Sequence, residues 1–129
     1  MKTSEHISNF LTFCRNIVSE YQTNFETVNT CDKETQDLLH QIELGTCKSR
    51  NKFATQVAHV RRKRRISKNF VDINSDLVEY LQSAEFVKVQ RQLEQLLGAC
   101  RKHARYVENT RIYHSRVRTD LMIDQRKEI

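Results

Sequence analysis

Proline and tryptophan are absent from this 129-residue chain, and glycine occurs twice. Sandwiches, barrels and wound α/β sheets need turn residues at regular intervals, and phosphate-cradling loops need clustered glycines, so the composition argues against all of them. No apolar run approaches the roughly 20 residues of a membrane-spanning helix, and residues 1–9 lack the charged start and apolar stretch of a secretion signal. A cytoplasmic chain with no membrane partner is expected. Cys14, Cys31, Cys47 and Cys100 are widely spaced with no C-x-x-C, which predicts four small buried hydrophobes rather than a disulfide framework. Enzyme signatures are missing too: there is no G-x-S-x-G, no H-E-x-x-H, no Walker loop and no carboxylate pair beside a nucleophile. Cys100 and His103 stand at i and i+3, a spacing that suits a metal or an activated thiolate. His103 falls on the apolar stripe of Leu96 and Cys100, however, and is expected as a satisfied core histidine. A non-enzyme with no catalytic residue, metal or cofactor is therefore expected.

Charge is what the chain has in quantity. Charged residues make up 29% of it, with 22 Lys and Arg against 16 Asp and Glu, for a net charge of +6. The excess is in blocks. Residues 1–45 carry seven acids and three bases, residues 46–68 nine bases and no acid, residues 69–100 a net −3, and residues 101–129 a net +4. Such alternation suits segments that fold back on each other or on a second copy, with basic charge held for an anionic ligand.

The apolar residues follow helical spacing. From Ile7 to Ile42 they recur every three or four positions through Leu11, Cys14, Val18, Tyr21, Phe25, Val28 and Leu39, which predicts a helix over about 4–43. Asp32 and Thr35 interrupt that stripe, so a kink or short break is expected near residues 30–34. Gly45 and Thr46 supply a C-terminal glycine and an N-cap for a second helix over about 47–82. Its stripe reads Phe53, Ala54, Val57, Ala58 and Val60, then Ile66, Phe70, Ile73, Leu77 and Tyr80, broadened by Val71, Val78 and Leu81. Ser83 caps a third helix over about 84–108, with Phe86, Val89, Leu93, Leu96, Cys100 and Val107 as its stripe. Residues 109–129 alternate with period two, as an extended arm or edge strand does. The expected fold is a single all-α domain: a long antiparallel helical hairpin, a third helix and a C-terminal extended arm. Two rods of roughly 54 Å exceed what one short helix can cover in a chain whose compact radius of gyration would be about 14 Å, so oligomerisation is expected.

Two clusters carry the candidate chemistry. Arg61-Arg62-Lys63-Arg64-Arg65 turns through roughly 500° of helix, so at least one of these cations must lie along the apolar face. In the arm, Arg111, Tyr113, His114, Arg116 and Arg118, with Tyr106 just before them, combine planar stackers with guanidinium forks. Base stacking contributes roughly 1–3 kcal/mol per base and each charge-assisted hydrogen bond about 1.5–3, enough to hold a dinucleotide-sized ligand. A surface arm whose tyrosines pack on the bundle remains the alternative. For the basic run the alternatives are a solvated helix face and a strip that follows a nucleic-acid backbone.

Three blocks, Asp37-Leu-Leu-His-Gln-Ile-Glu43, Arg61-Arg-Lys-Arg-Arg-Ile-Ser-Lys68 and Glu108-Asn-Thr-Arg-Ile-Tyr-His-Ser-Arg-Val-Arg-Thr-Asp-Leu121, resemble small helical-hairpin proteins encoded by phages, the Thoeris anti-defence sponges. The resemblance covers about two thirds of the chain. It implies a non-enzymatic scavenger in the host cell cytoplasm that binds cyclic ADP-ribose isomers, or cyclic oligonucleotides, between subunits of a dimer or hexamer. On that resemblance Arg111, Arg116 and Arg118 would hold phosphates, Tyr113 would stack on adenine or ribose, and Arg61 or Arg65 would reach in from a neighbouring hairpin. A basic helical protein that binds nucleic acid or adapts to another protein is the competing expectation.

Overall fold

The structure, a computed structural model, describes residues 1–109, 112–114, 117 and 122–124. The fold is all-α: α1 spans Thr3–Leu44, α2 Cys47–Leu81 and α3 Ala84–Glu108. These bounds lie within a residue of those expected from periodicity. Beyond them a short antiparallel pair, β1 (Ile112–His114) and β2 (Met122–Asp124), sets Tyr113 opposite Ile123. The extended reading of the arm holds at those six positions; most of its other residues lie outside the described ones.

The expected break at residues 30–34 is absent, and α1 is continuous there. Cys31 is completely buried, and the Thr35 hydroxyl donates to its carbonyl at 2.8 Å. Thr23 and Thr27 bond back to the preceding turn in the same way. Such bonds let threonine sit inside a helix with its hydroxyl satisfied.

The corner between α1 and α2 is two residues long. Thr46 has extended backbone angles and its side-chain oxygen accepts from the Ser49 N–H, the N-cap expected of it. Gly45 has no positive φ, so it is not a left-handed C-cap. Its role is close approach: a Cβ there would lie 2.5 Å from Ser49 Oγ and 2.9 Å from the Gln41 carbonyl. Arg50 Nε donates to the Ile42 carbonyl at 3.1 Å, which satisfies one of the orphan acceptors at the end of α1. At the next corner Ser83 Oγ accepts from the Phe86 N–H at 3.3 Å, as its position predicts.

Contacts divide the chain into two units. One comprises Met1–Leu11 and the described residues from Lys88 onward. In it Leu11 is buried and Lys2 pairs with Glu108 at 3.5 Å. The half-buried line of α3 runs Gln90, Leu93, Leu97 and Cys100, while Leu96 and Val107 of the expected stripe are exposed. His103 is exposed as well, so it is not a core histidine.

The second unit, Thr12–Val87, packs Cys14 of α1 against Leu81 of α2 and Phe86 of α3, with Ile17 and Val18 closing over them. Tyr80 and Phe86 meet at 5.6 Å in a tilted ring pair. Burial pushes the Cys14 thiol above its ordinary pKa, against a smaller opposing backbone hydrogen bond. Cys14 and Cys31 are buried, but Cys100 is half-buried and Cys47 is exposed, so two of the four cysteines depart from the expected burial.

The face that α2 turns inward differs from the expected one. Its buried residues are Ser67, Val71, Val78 and Leu81, whereas Ile66, Ile73, Leu77 and Tyr80 are exposed. The reason is geometric. Val60 to Ile66 is six residues, about 240° of rotation, so a straight helix that turns Val57 and Val60 inward carries Ile66 away. The spacing 60, 64, 67, 71 keeps to one face, and it runs through Arg64 and Ser67.

Candidate functional site

Arg64 is the cation that the run at 61–65 is forced to turn inward. It lies on the half-buried face of α2, where Nε donates to Asp32 Oδ1 of α1 at 2.6 Å. A guanidinium turned toward the neighbouring helix, with other cations on either side, is favoured by such a charge-assisted partner. Asp32 interrupts the apolar stripe of α1 at the position where it can supply one.

Around this pair the two helices leave a cavity of about 570 Å³ lined by Asp32 and Thr35 of α1 and by Arg61, Arg62, Arg64, Arg65, Lys68 and Asn69 of α2. Arg61, Arg64, Arg65 and Lys68 follow i, i+3, i+4 and i+7, which puts them on one side of the helix. Five cations therefore share the space with one carboxylate. Lys68 is further tied to Asp72 at 3.2 Å, one turn on. Arg62 Nε is occupied by the Ala58 carbonyl at 3.3 Å. No ion pair among the described residues involves Arg61 or Arg65. These two guanidinium groups offer planar donor forks suited to phosphate or carboxylate oxygens.

A second cavity of about 410 Å³, also between α1 and α2, has the opposite character, with Glu34 and Asp37 beside His59, Leu38, Gln56 and Val60. Its carboxylates repel anions, so the cation-lined cavity is the one that attracts them. No group of three or more His, Cys, Asp or Glu side chains that could hold a metal is found among the described residues. None of the helices is long and apolar enough to cross a membrane.

No protein family, curated protein or solved structure matches this chain. Of the eight expected ligand-binding residues, the structure brings Arg61 and Arg65 together in the basic cavity. Tyr106 is an exposed residue near the end of α3, in the other unit. Tyr113 and His114 belong to β1, opposite Ile123 and Met122. Arg111, Arg116 and Arg118 lie outside the described residues. Asp32, Thr35, Lys68 and Asn69 line the cavity without having been expected as ligand-binding residues, and Arg62 and Arg64 were expected only as members of the basic run. The signal for the first two was present: they are the polar residues that break the stripe of α1, and a break in one helix is where a polar group of its neighbour can be received.

Proposed function

We propose that the protein is a non-enzymatic phage anti-defence protein that captures a compact phosphorylated signal, a cyclic nucleotide of the cyclic ADP-ribose or cyclic oligonucleotide class. In this reading α1 and α2 form a long antiparallel hairpin, the chain works as a homo-oligomer, and sequestering the signal is its whole task in the host cytoplasm. The observation that carries the reading is the cavity in which four arginines and a lysine face a single carboxylate. Its volume falls within the roughly 300–1,000 Å³ usual for small-ligand sites. Arg61 and Arg65 would take phosphate oxygens bidentately. Thr35 and Asn69 would supply neutral hydrogen bonds. Tyr106, Arg111, Tyr113, His114, Arg116 and Arg118 would contribute stacking and further phosphate contacts. The nucleotide class itself comes from the resemblance of the three sequence blocks to the sponge family.

A second reading, binding along a nucleic-acid backbone, is favoured by the single-sided run Arg61, Arg65 and Lys68, which extends along the helix axis for roughly 10 Å. Salt separates the two. Backbone binding releases counterions and falls by orders of magnitude between low and moderate salt, whereas a pocket with a few short contacts falls far less. The test is calorimetric titration with cyclic ADP-ribose isomers, cyclic dinucleotides, and single- and double-stranded DNA at two salt concentrations. Saturable, weakly salt-dependent binding of a cyclic nucleotide, lost in Arg61→Ala/Arg65→Ala, supports capture. Binding confined to DNA, growing with its length, refutes it.

A further inference from the structure

We propose that the outward edge of α2, formed by Ile66, Ile73, Leu77 and Tyr80, is the surface on which a second copy of this chain docks, with the two α2 helices running antiparallel.

Ile66 is 71% exposed, Ile73 78%, Leu77 38% and Tyr80 48%. At about 100° per residue these four fall within roughly 60° of one another, about 130° around the helix from the buried line through Ser67, Val71 and Val78. They form a narrow apolar seam, open to solvent at Ile66 and Ile73 and partly covered toward Tyr80, whose ring meets Phe86, on a helix whose opposite side is already packed. The spacing of seven, four and three is that of a helix–helix interface.

Charge identifies the occupant and its direction. Residues 61–68 of α2 hold six cations and no acid; residues 69–81 hold Asp72, Asp76 and Glu79 and no cation. A parallel pairing of two copies sets like on like. An antiparallel pairing sets each basic half against the other copy's acidic half, and it does so twice because the contact is isologous. The flanks agree. Arg65, Asp72 and Asp76 lie on the same side of the seam, and Arg62 falls at that edge of it, in line with Tyr80. A two-fold axis perpendicular to both helices brings that side of one copy next to the same side of the other. With Ile66 opposite Ile73 of the second copy, Arg65 stands within a turn of that copy's Asp76. Flanking charges of this kind set partner choice and orientation in helix pairs. An unrelated partner would have to reproduce both the seam and the bipolar charge; a second copy carries both already.

This inference gives the oligomer of the proposed function its interface and rests on that reading for self-association alone. The test is sedimentation velocity of the full chain over a concentration series, with three variants. Wild type is expected to dimerise, and Ile73→Asp to raise the dissociation constant at least tenfold. Because Ile73 is exposed in the single chain, helicity is expected to be unchanged, which circular dichroism checks. The charge-reversed chains Arg62→Glu/Arg65→Glu and Asp72→Lys/Asp76→Lys should each self-associate weakly and, when mixed, form a heterodimer. A monomeric wild type, an Ile73→Asp chain that dimerises as before, or a mixture that gains nothing overturns the interface. A dimer that binds no cyclic nucleotide leaves the interface standing and overturns the ligand reading instead.

Discussion

Removing the Asp32 carboxylate should destabilise the fold and tighten ligand binding at once. Asp32 and Arg64 form a close charge-assisted bond at 2.6 Å, but their side chains are 52% and 38% exposed. Unit charges about 4 Å apart attract by about 4 kcal/mol at an effective dielectric near 20, and solvent screening at this exposure leaves a net contribution of about 1 kcal/mol. Asp32→Asn and Arg64→Met should therefore each lower stability by about that amount, a fall of roughly 4 °C in Tm for a chain of this length. The double variant should lose less than the sum, since the two act through one bond. On ligand the pair should diverge. Asp32 competes with any anion for the Arg64 guanidinium, so Asp32→Asn should bind inorganic pyrophosphate and cyclic ADP-ribose several-fold more tightly. Arg64→Met gives up a charged donor worth about 1.5–3 kcal/mol and should bind them about tenfold or more weakly. Thermal unfolding and calorimetric titration on the same samples measure both effects. Equal loss of affinity in the two variants would show that Asp32 helps to build the site rather than opposing the anion, and the competition argument would fail.

The two glycines should respond in opposite directions. Gly45→Ala puts a Cβ into Ser49 Oγ and the Gln41 carbonyl and should cost about 1–2 kcal/mol, whereas Gly98, with nothing within 4 Å of its Cβ position, should gain about 0.5–1 kcal/mol as alanine in mid-helix; chemical denaturation reads both. Cysteine alkylation near pH 8 should label the exposed Cys47 first and spare Cys14 and Cys31 until the chain unfolds. Raising the pH toward 9 should also weaken the fold slightly. The unfolded Cys14 thiol ionises before the buried one, so the stability this group contributes is present below its ordinary value and lost above it; equal labelling of Cys14 and Cys47 in the native state would refute both statements.

Helix bounds and caps were legible in the chain because they depend on local chemistry: Thr46 and Ser83 sit where an oxygen can meet an orphan N–H, and both do. The inward faces of α2 and α3 were harder to read. Counting apolar residues alone favours Ile66, Ile73 and Leu77, yet continuity with Val57 and Val60 requires the face through Arg64 and Ser67, two residues that an apolar count leaves out. In α3 the same choice arises between Val89 and Leu96 on one side and Gln90 and Leu97 on the other, and again the line that includes a polar residue is the packed one. The basic run was visible as a cluster of charge. Which arginine faces Asp32 depends on how α1 and α2 align, and no local rule supplies that alignment.

A helix pair made only of repeating apolar positions has several nearly equivalent ways to lie side by side, each displaced by seven residues. Moving α1 one such step either way would set Arg64 level with Phe25 or Leu39 instead of Asp32. Each displaced arrangement sets the guanidinium beside a half-exposed apolar side chain in place of the carboxylate that now meets it. The Asp32–Arg64 bond thus works with the two-residue corner at Gly45-Thr46 to favour one alignment of α1 against α2 over its displaced neighbours.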